Sequence, residues 1–210
     1  MVTVACVQVG NYCGCGAAYV NKLRAGVLRH LPRPHRFACI TDDASGLDPL
    51  IDIVPAHPGL TGWWQKLALF KPGTFQTGRI IFFDLDTWIL GDLTPLANYA
   101  GDFAMLEHLM RRNRPASGVL AWHRDAAGAQ AIWEATLATG GEPRHKMGDQ
   151  GFMEDTLKKR GIVPDLLQHS IGGIYSWKLH CRTQMPADVA VCCFHMRPKP
   201  HELPGWSPAR

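Results

Sequence analysis

The chain has 210 residues, 46% hydrophobic and 19% charged, with a formal net charge of +4. That length carries one substantial core, and the balance excludes a disordered chain. No apolar run approaches the ~20 residues that span a bilayer, and the mild positive charge suits an anionic small ligand without calling for nucleic acid.

Residues 2–9 are apolar and β-rich, lack the basic region of a signal peptide, and predict a buried first strand. Gly10, Asn11 and Tyr12 begin a turn. Val20, Leu23, Val27, Leu28 and Leu31 then recur at helical spacing, with Lys22, Arg24 and Arg29 between them, up to the stop at Pro32 and Pro34. Residues 35–41 read as a second strand, and strand–helix–strand order implies parallel pairing with a right-handed crossover. A short strand is expected at 51–54, and one helix at 63–70 (WWQKLALF).

The stretch 79–96, RIIFFDLDTWILGDLTPL, carries the chemistry. Ile80, Ile81, Phe82 and Phe83 form a strand buried on both faces. Asp84 and Asp86 follow, and extended geometry places residues i and i+2 on one side, with Leu85 opposite. Two converging carboxylates repel unless a positive group lies between them. A hard divalent cation that also carries substrate phosphates meets that need. The alternative is that one Asp caps the next turn and the other is solvated.

Further strands are expected at 102–106, 119–122 and 189–194, and helices at 126–138 and from the Gly148-Asp149-Gln150-Gly151 turn to Gly161. The tail HMRPKPHELPGW is too proline-rich to be regular. The pattern is an α/β fold with a mainly parallel central sheet flanked by helices, and such sheets bind ligands at the carboxyl ends of their strands. Asn11-Tyr12, Asp84/Asp86 and His195 fall at such ends. The seven cysteines are an odd number without a C-x-x-C, so reduced thiols and a cytoplasmic location are expected. The basic run Arg111, Arg112, Arg114 leaves peripheral membrane contact, or contact with an acidic glycan, as further options beside a solvated face.

These motifs together resemble the GT-A nucleotide-sugar glycosyltransferases, most nearly family eight, the retaining relatives of glycogenin and of bacterial lipopolysaccharide galactosyltransferases. The matching pieces are VACVQVGNY, WWQKLALF, the D-x-D strand, ASGVLAW, GDQGFM and VCCFHMRPKP, in the family's order. The resemblance implies a single glycosyltransferase-like domain over 1–210, Rossmann-like, with 195–210 an irregular tail closing the site. It implies transfer of a sugar from a UDP-sugar to a glycan or other hydroxyl acceptor, with Mn²⁺ (or Mg²⁺). Asp84, Asp86 and His195 would hold the metal. Tyr12 would stack on the base beside Val7 and Asn11, with Leu85 next to the nucleotide. Lys199, with Lys66, would neutralise the diphosphate, and Asp149 and Gln150 would meet the sugar. The chain departs from the family at Val9 and Gly10, where an acidic residue is usual, at Ala116, where Asn is usual, and in the short gap before Lys199, which leaves Arg197 as a substitute.

Each role has a plainer alternative. Trp63 and Trp64 are expected as core and helix anchors and Lys66 as a solvated charge. Tyr12 reads equally as a packing ring and Asp149 equally as a helix N-cap, while for His195 the alternative of a core histidine yields to the metal reading because of the D-x-D upstream. His108 and His145 are expected on surface loops, and the stretches 109–114 and 143–147 are the candidate acceptor loops. Two other functions compete with transfer: a non-catalytic nucleotide-sugar-binding protein, and a haloacid-dehalogenase-like phosphatase with the first Asp as nucleophile. The phosphatase reading lacks a Thr two places after Asp86, where Trp88 stands.

Overall fold

A computed structural model describes residues 1–11 and 14–204. In chain order it contains β1 (Val2–Gln8), α1 (Gly16–His30), β2 (His35–Thr41), β3 (Asp52–Pro55), a 3₁₀ helix (Gly62–Phe70), β4 (Arg79–Phe83), β5 (Thr87–Ile89), α2 (Thr94–Ala97), β6 (Phe103–Glu107) and β7 (Pro115–His123). There follow α3 (Ala127–Ala138), α4 (Gly148–Lys159), β8 (Asp165–Leu166), α5 (Leu167–Ser170), β9 (Ile174–Ser176) and β10 (Val191–Cys193).

Among the described residues the central sheet has seven strands in the order β3-β2-β1-β4-β7-β6-β8. β1 pairs in parallel with β2 and β4, as the strand–helix–strand order requires. β7 runs antiparallel to β4 and β6, and is longer than its apolar run suggested. This reversal matters for the site, because it brings the first residues of β7 to the carboxyl end of β4.

The uninterrupted apolar β4 is explained by burial on both faces. Ile81 and Phe83 enter one core with α1 and α2 residues such as Val20, Leu23 and Leu96. Ile80 and Phe82 enter the other with the 3₁₀ helix, α3 and α4, through Leu67, Ile132 and Leu157. Side chains alternate faces along a strand, so every position here must be apolar.

The expected strand at 189–194 forms, but not in the central sheet. β10 joins a second sheet of order β5-β10-β9. The rings of Trp88, Trp177 and Phe194 close over it, with Trp177 stacked on Phe194 at 5.2 Å and Trp88 edge-on to Phe194 at 4.8 Å. Helix α1 can lie close to β5 because Gly26 has no side chain: a Cβ there would sit 3.0 Å from Ile89 Cβ. The β5–β10 ladder extends past its last pair, Thr87 with Cys193, through a bond from Phe194 N to Asp86 O at 3.0 Å. That bond ties His195, one residue on, to the acidic turn.

Cys6, Cys39, Cys192 and Cys193 are buried free thiols acting as small apolar side chains, as their apolar surroundings predict. No helix among the described residues is long and apolar enough to cross a membrane.

Trp122 is 1% exposed and packs against Phe70 at 5.2 Å. Trp122→Ala is expected to cost about 3–5 kcal/mol, read as a fall in the urea midpoint at unchanged slope; a change below 1 kcal/mol would contradict this packing.

Candidate active site

Strand β4 ends at Phe83, and Asp84 N donates to Gly118 O at 2.9 Å. Asp84-Leu85-Asp86 is therefore a turn leading into β5, not a continuation of the strand. The two carboxylates still converge, but the turn brings them together rather than strand alternation. Both line two cavities, one of about 550 Å³ and one of about 450 Å³.

Lys66 is the residue the sequence places wrongly. It is 6% exposed, not solvated. Its Nζ lies 2.9 Å from Asp84 Oδ1 and 3.0 Å from Asp149 Oδ2, and donates to Ser117 Oγ at 3.2 Å. Ser117 Oγ in turn donates to Asp149 Oδ2 at 2.7 Å. The Phe82 ring lies under the ammonium at 5.3 Å, in cation–π contact. Burial alone would lower the Lys66 pKa, but Asp149 and Asp84 outweigh it and the ammonium is held charged. Burial raises Asp84, Lys66 opposes the rise, and Asp86 and Asp149 add to it, which leaves that carboxyl pushed up to about 6.

Asp149 does not cap α4. Met147 occupies the N-cap position, without a side-chain capping bond, and Asp149 turns inward to Lys66 and Ser117 from the first helical turn, where the helix dipole favours a carboxylate. Gly148 starts that turn at φ +62°, a left-handed conformation that L side chains rarely adopt. Its missing Cβ would lie 3.5 Å from Trp63 Nε1. The tryptophan pair divides: Trp64 is buried in the core, whereas Trp63 is 65% exposed on the rim of the larger cavity. Gln150 faces the smaller one.

Val7, Asn11, Leu85 and Lys199 line the larger cavity together with Lys66 and Asp149. Tyr12 lies outside the described residues. Lys199 Nζ bonds Asp86. Arg197 stands out at the surface, paired to Glu202. His195 lines the smaller cavity with Asp84 and Asp86, and its Nε2 is 2.8 Å from Ser176 Oγ. Burial lowers the His195 pKa, aided by Lys178, which favours neutral imidazole. Ala116 lines the same cavity, but its neighbour Ser117 makes the polar contacts. Nothing in the sequence pattern singles out Ser176, and the ASG run is the signal for Ser117. His108, expected on a surface loop, also lines this cavity, and His145 bonds Asp155 at 3.1 Å.

Two carboxylates and a neutral imidazole suit a hard divalent cation in chemistry. In this arrangement Lys199 caps Asp86, and no group of three His, Cys, Asp or Glu among the described residues is gathered to hold an ion.

No protein-family model and no curated protein matches the chain. Solved structures do. The galactosyltransferase LgtC, in complex with donor and acceptor sugar analogs, superposes with a TM-score of 0.66 at 16% identity, over 99% of this chain and 92% of that one. An active-site mutant of LgtC gives 0.64 at 14%, with the same coverage. The glycosyltransferase GlyE of Streptococcus pneumoniae gives 0.64 at 11%, over 95% of this chain and 56% of that one. The fold is the GT-A glycosyltransferase fold. The acidic turn, the α4 start and the second sheet are thus parts of one α/β scaffold with a mainly parallel sheet.

Lys66→Met would leave Asp84 and Asp149 facing each other without a cation, and is expected to destabilise the fold by about 2 kcal/mol at pH 7, less than for a fully buried pair because water reaches Asp84. Asp84 has a folded pKa raised above its ordinary value, so the folded form binds the proton more tightly and the Asp84 contribution to stability falls as pH rises from about 4 through about 6. Lys66 holds that pKa down, so removing it raises the pKa further; the variant then gains more from protonation than the parent, and its deficit should shrink at pH 5. Denaturant titration at the two pH values, in chelator, checks it; an equal deficit would show that carboxylate repulsion is not the cause.

Proposed function

We propose that this protein is a metal-dependent glycosyltransferase of the family-eight type, moving a sugar from a UDP-sugar to a glycan or other hydroxyl acceptor with retention of configuration. The observation that carries it is the Asp84/Asp86 turn shared by two cavities, with the Lys66–Asp149–Ser117 cluster beside it. The LgtC structure holds donor and acceptor sugar analogs, and the likeness in fold supports the same division of labour here.

In this reading the larger cavity takes the nucleotide. Val7 and Asn11 meet the nucleoside, with Tyr12 as its stacking face, and the diphosphate lies toward Asp84 and Asp86. Those two carboxylates and His195 would hold Mn²⁺ or Mg²⁺, with the Ser176 hydroxyl on Nε2 orienting the imidazole. A bound cation would act as a Lewis acid on the leaving diphosphate. Lys199, now on Asp86, would turn to the same phosphates. Lys66 keeps its place between Asp84 and Asp149, so its charge is felt at the diphosphate through fixed neighbours rather than by direct contact. Gln150, at the start of α4, presents its amide oxygen toward the positive sugar that develops in the transition state. The acceptor hydroxyl enters from the smaller cavity.

The non-catalytic alternative is separated by one assay: slow cleavage of a UDP-sugar with Mn²⁺, stopped by chelation, shows an enzyme. The phosphatase alternative gains no support from LgtC and GlyE, which are glycosyltransferases.

UDP should bind on the order of tenfold or more weakly without a divalent cation, because two carboxylates at the turn repel its phosphates. Calorimetry with and without Mn²⁺ decides this, and equal affinities would remove the metal from the reading. Gln150→Ala should lower kcat and kcat/KM together, on the order of 10²-fold, with UDP affinity kept, as for a contact made in the transition state. Parallel loss of UDP binding would instead place Gln150 on the nucleotide.

A further inference from the structure

A third cavity, of about 260 Å³, continues the trough beyond the smaller cavity and shares His108, Arg111 and Gln150 with it. Its walls are basic: besides His108 and Arg111 they include Arg114 and Lys146, against the single acidic residue Glu154. Arg114 Nε pairs with Glu154 Oε1 at 2.6 Å, which cancels that pair. Arg111 and Lys146 make no ion pair with any described residue. His108 Nδ1 accepts from Met110 N at 3.1 Å, which leaves its other nitrogen as the outward group. The two cations come from different parts of the chain, the segment before β7 and the segment before α4, yet the fold sets them around one hollow next to Gln150.

A solvated basic face would spread its charges over a convex surface. Here two uncompensated cations instead line a concave floor joined to the place where the acceptor enters. We infer that the acceptor is an anionic sugar, carrying a carboxylate or phosphate that Arg111 and Lys146 bind while its hydroxyl lies by Gln150. This rests on the glycosyl-transfer reading for the word acceptor, but the anion preference of the hollow can be measured without turnover. Arg111 offers a planar fork that matches either oxyanion, and Lys146 adds a point charge. The anionic group supplies selectivity, since a neutral sugar would leave both cations without a partner.

Paired probes test this by calorimetry on the whole chain with UDP and Mn²⁺ present, so that the nucleotide cavity does not compete. Methyl glucuronide is compared with methyl glucoside for the carboxylate, and glucose 6-phosphate with glucose for the phosphate. At least one anionic member should bind about tenfold or more tightly than its neutral partner, and the arm that does so names the anion. The preference should shrink as salt rises from 50 to about 500 mM. It should vanish in the Arg111→Gln, Lys146→Gln double variant, with thermal melting confirming that the variant is folded. Equal affinity within both pairs, no binding by any probe, or a preference that survives the double substitution would overturn the inference. So would loss of binding to phosphatidylglycerol vesicles in the variant without any sugar preference in the parent, which would make this a membrane-facing surface. Failure of UDP to bind with Mn²⁺ in the same titrations would sink the proposed function instead, and the sugar pairs would still report on the hollow.

Discussion

The structure depends on one buried ammonium. Lys66 comes from the 3₁₀ helix before β4, and its partners come from the β4–β5 turn, the start of β7 and the start of α4. Taking a lysine out of water is costly unless its donors are met and its charge balanced. Asp84, Asp149 and Ser117 do both, and each is thereby held in place. Removing any of them would leave Lys66 or Asp149 buried, or Asp84 half-buried, with unmatched charge or an unmet hydrogen bond, so the four elements share one geometry.

That clasp also explains how two carboxylates of a D-x-D turn can coexist near a third. Asp84 and Asp149 meet Lys66, and Asp86 meets Lys199. The two lysines differ in burial, with side chains 8% and 24% exposed, and in anchorage. Lys66 sits within a helix and is locked by two carboxylates. Lys199 belongs to the segment after β10, is more exposed and meets a single carboxylate, and in the proposed function it is the lysine that turns to the phosphates.

The second sheet completes the arrangement. Its β5 begins directly after Asp86, and β10 pairs with it and continues into Phe194, so the ladder that builds the sheet also delivers His195 and Lys199 to the acidic turn. The aromatic triad of Trp88, Trp177 and Phe194 gives this small sheet its own apolar cover. The outcome is a trough that passes from the larger cavity, past the carboxylates, to a basic hollow. Its charge changes along its length in the order that the proposed donor and the inferred anionic acceptor would need.

Much of this is local and therefore legible in the sequence alone. The doubly buried β4 followed by Asp84 and Asp86, the helix periodicity of residues 17–31, the parallel start of the sheet and the Gly148-Asp149-Gln150 turn all follow from short-range pattern, because side-chain period and turn chemistry are properties of neighbouring residues. What tertiary structure decided are the matters of pairing between distant segments. The sequence cannot say that β7 runs antiparallel and so brings Ser117 to Asp84, that β10 leaves the central sheet for a second one, or which of Trp63 and Trp64 faces solvent. Above all, a lysine on a short helix reads as solvated. Only the approach of Asp84 and Asp149, 18 and 83 positions further on, makes burial of Lys66 favourable, because the desolvation of a charge is offset by partners that distance along the chain hides.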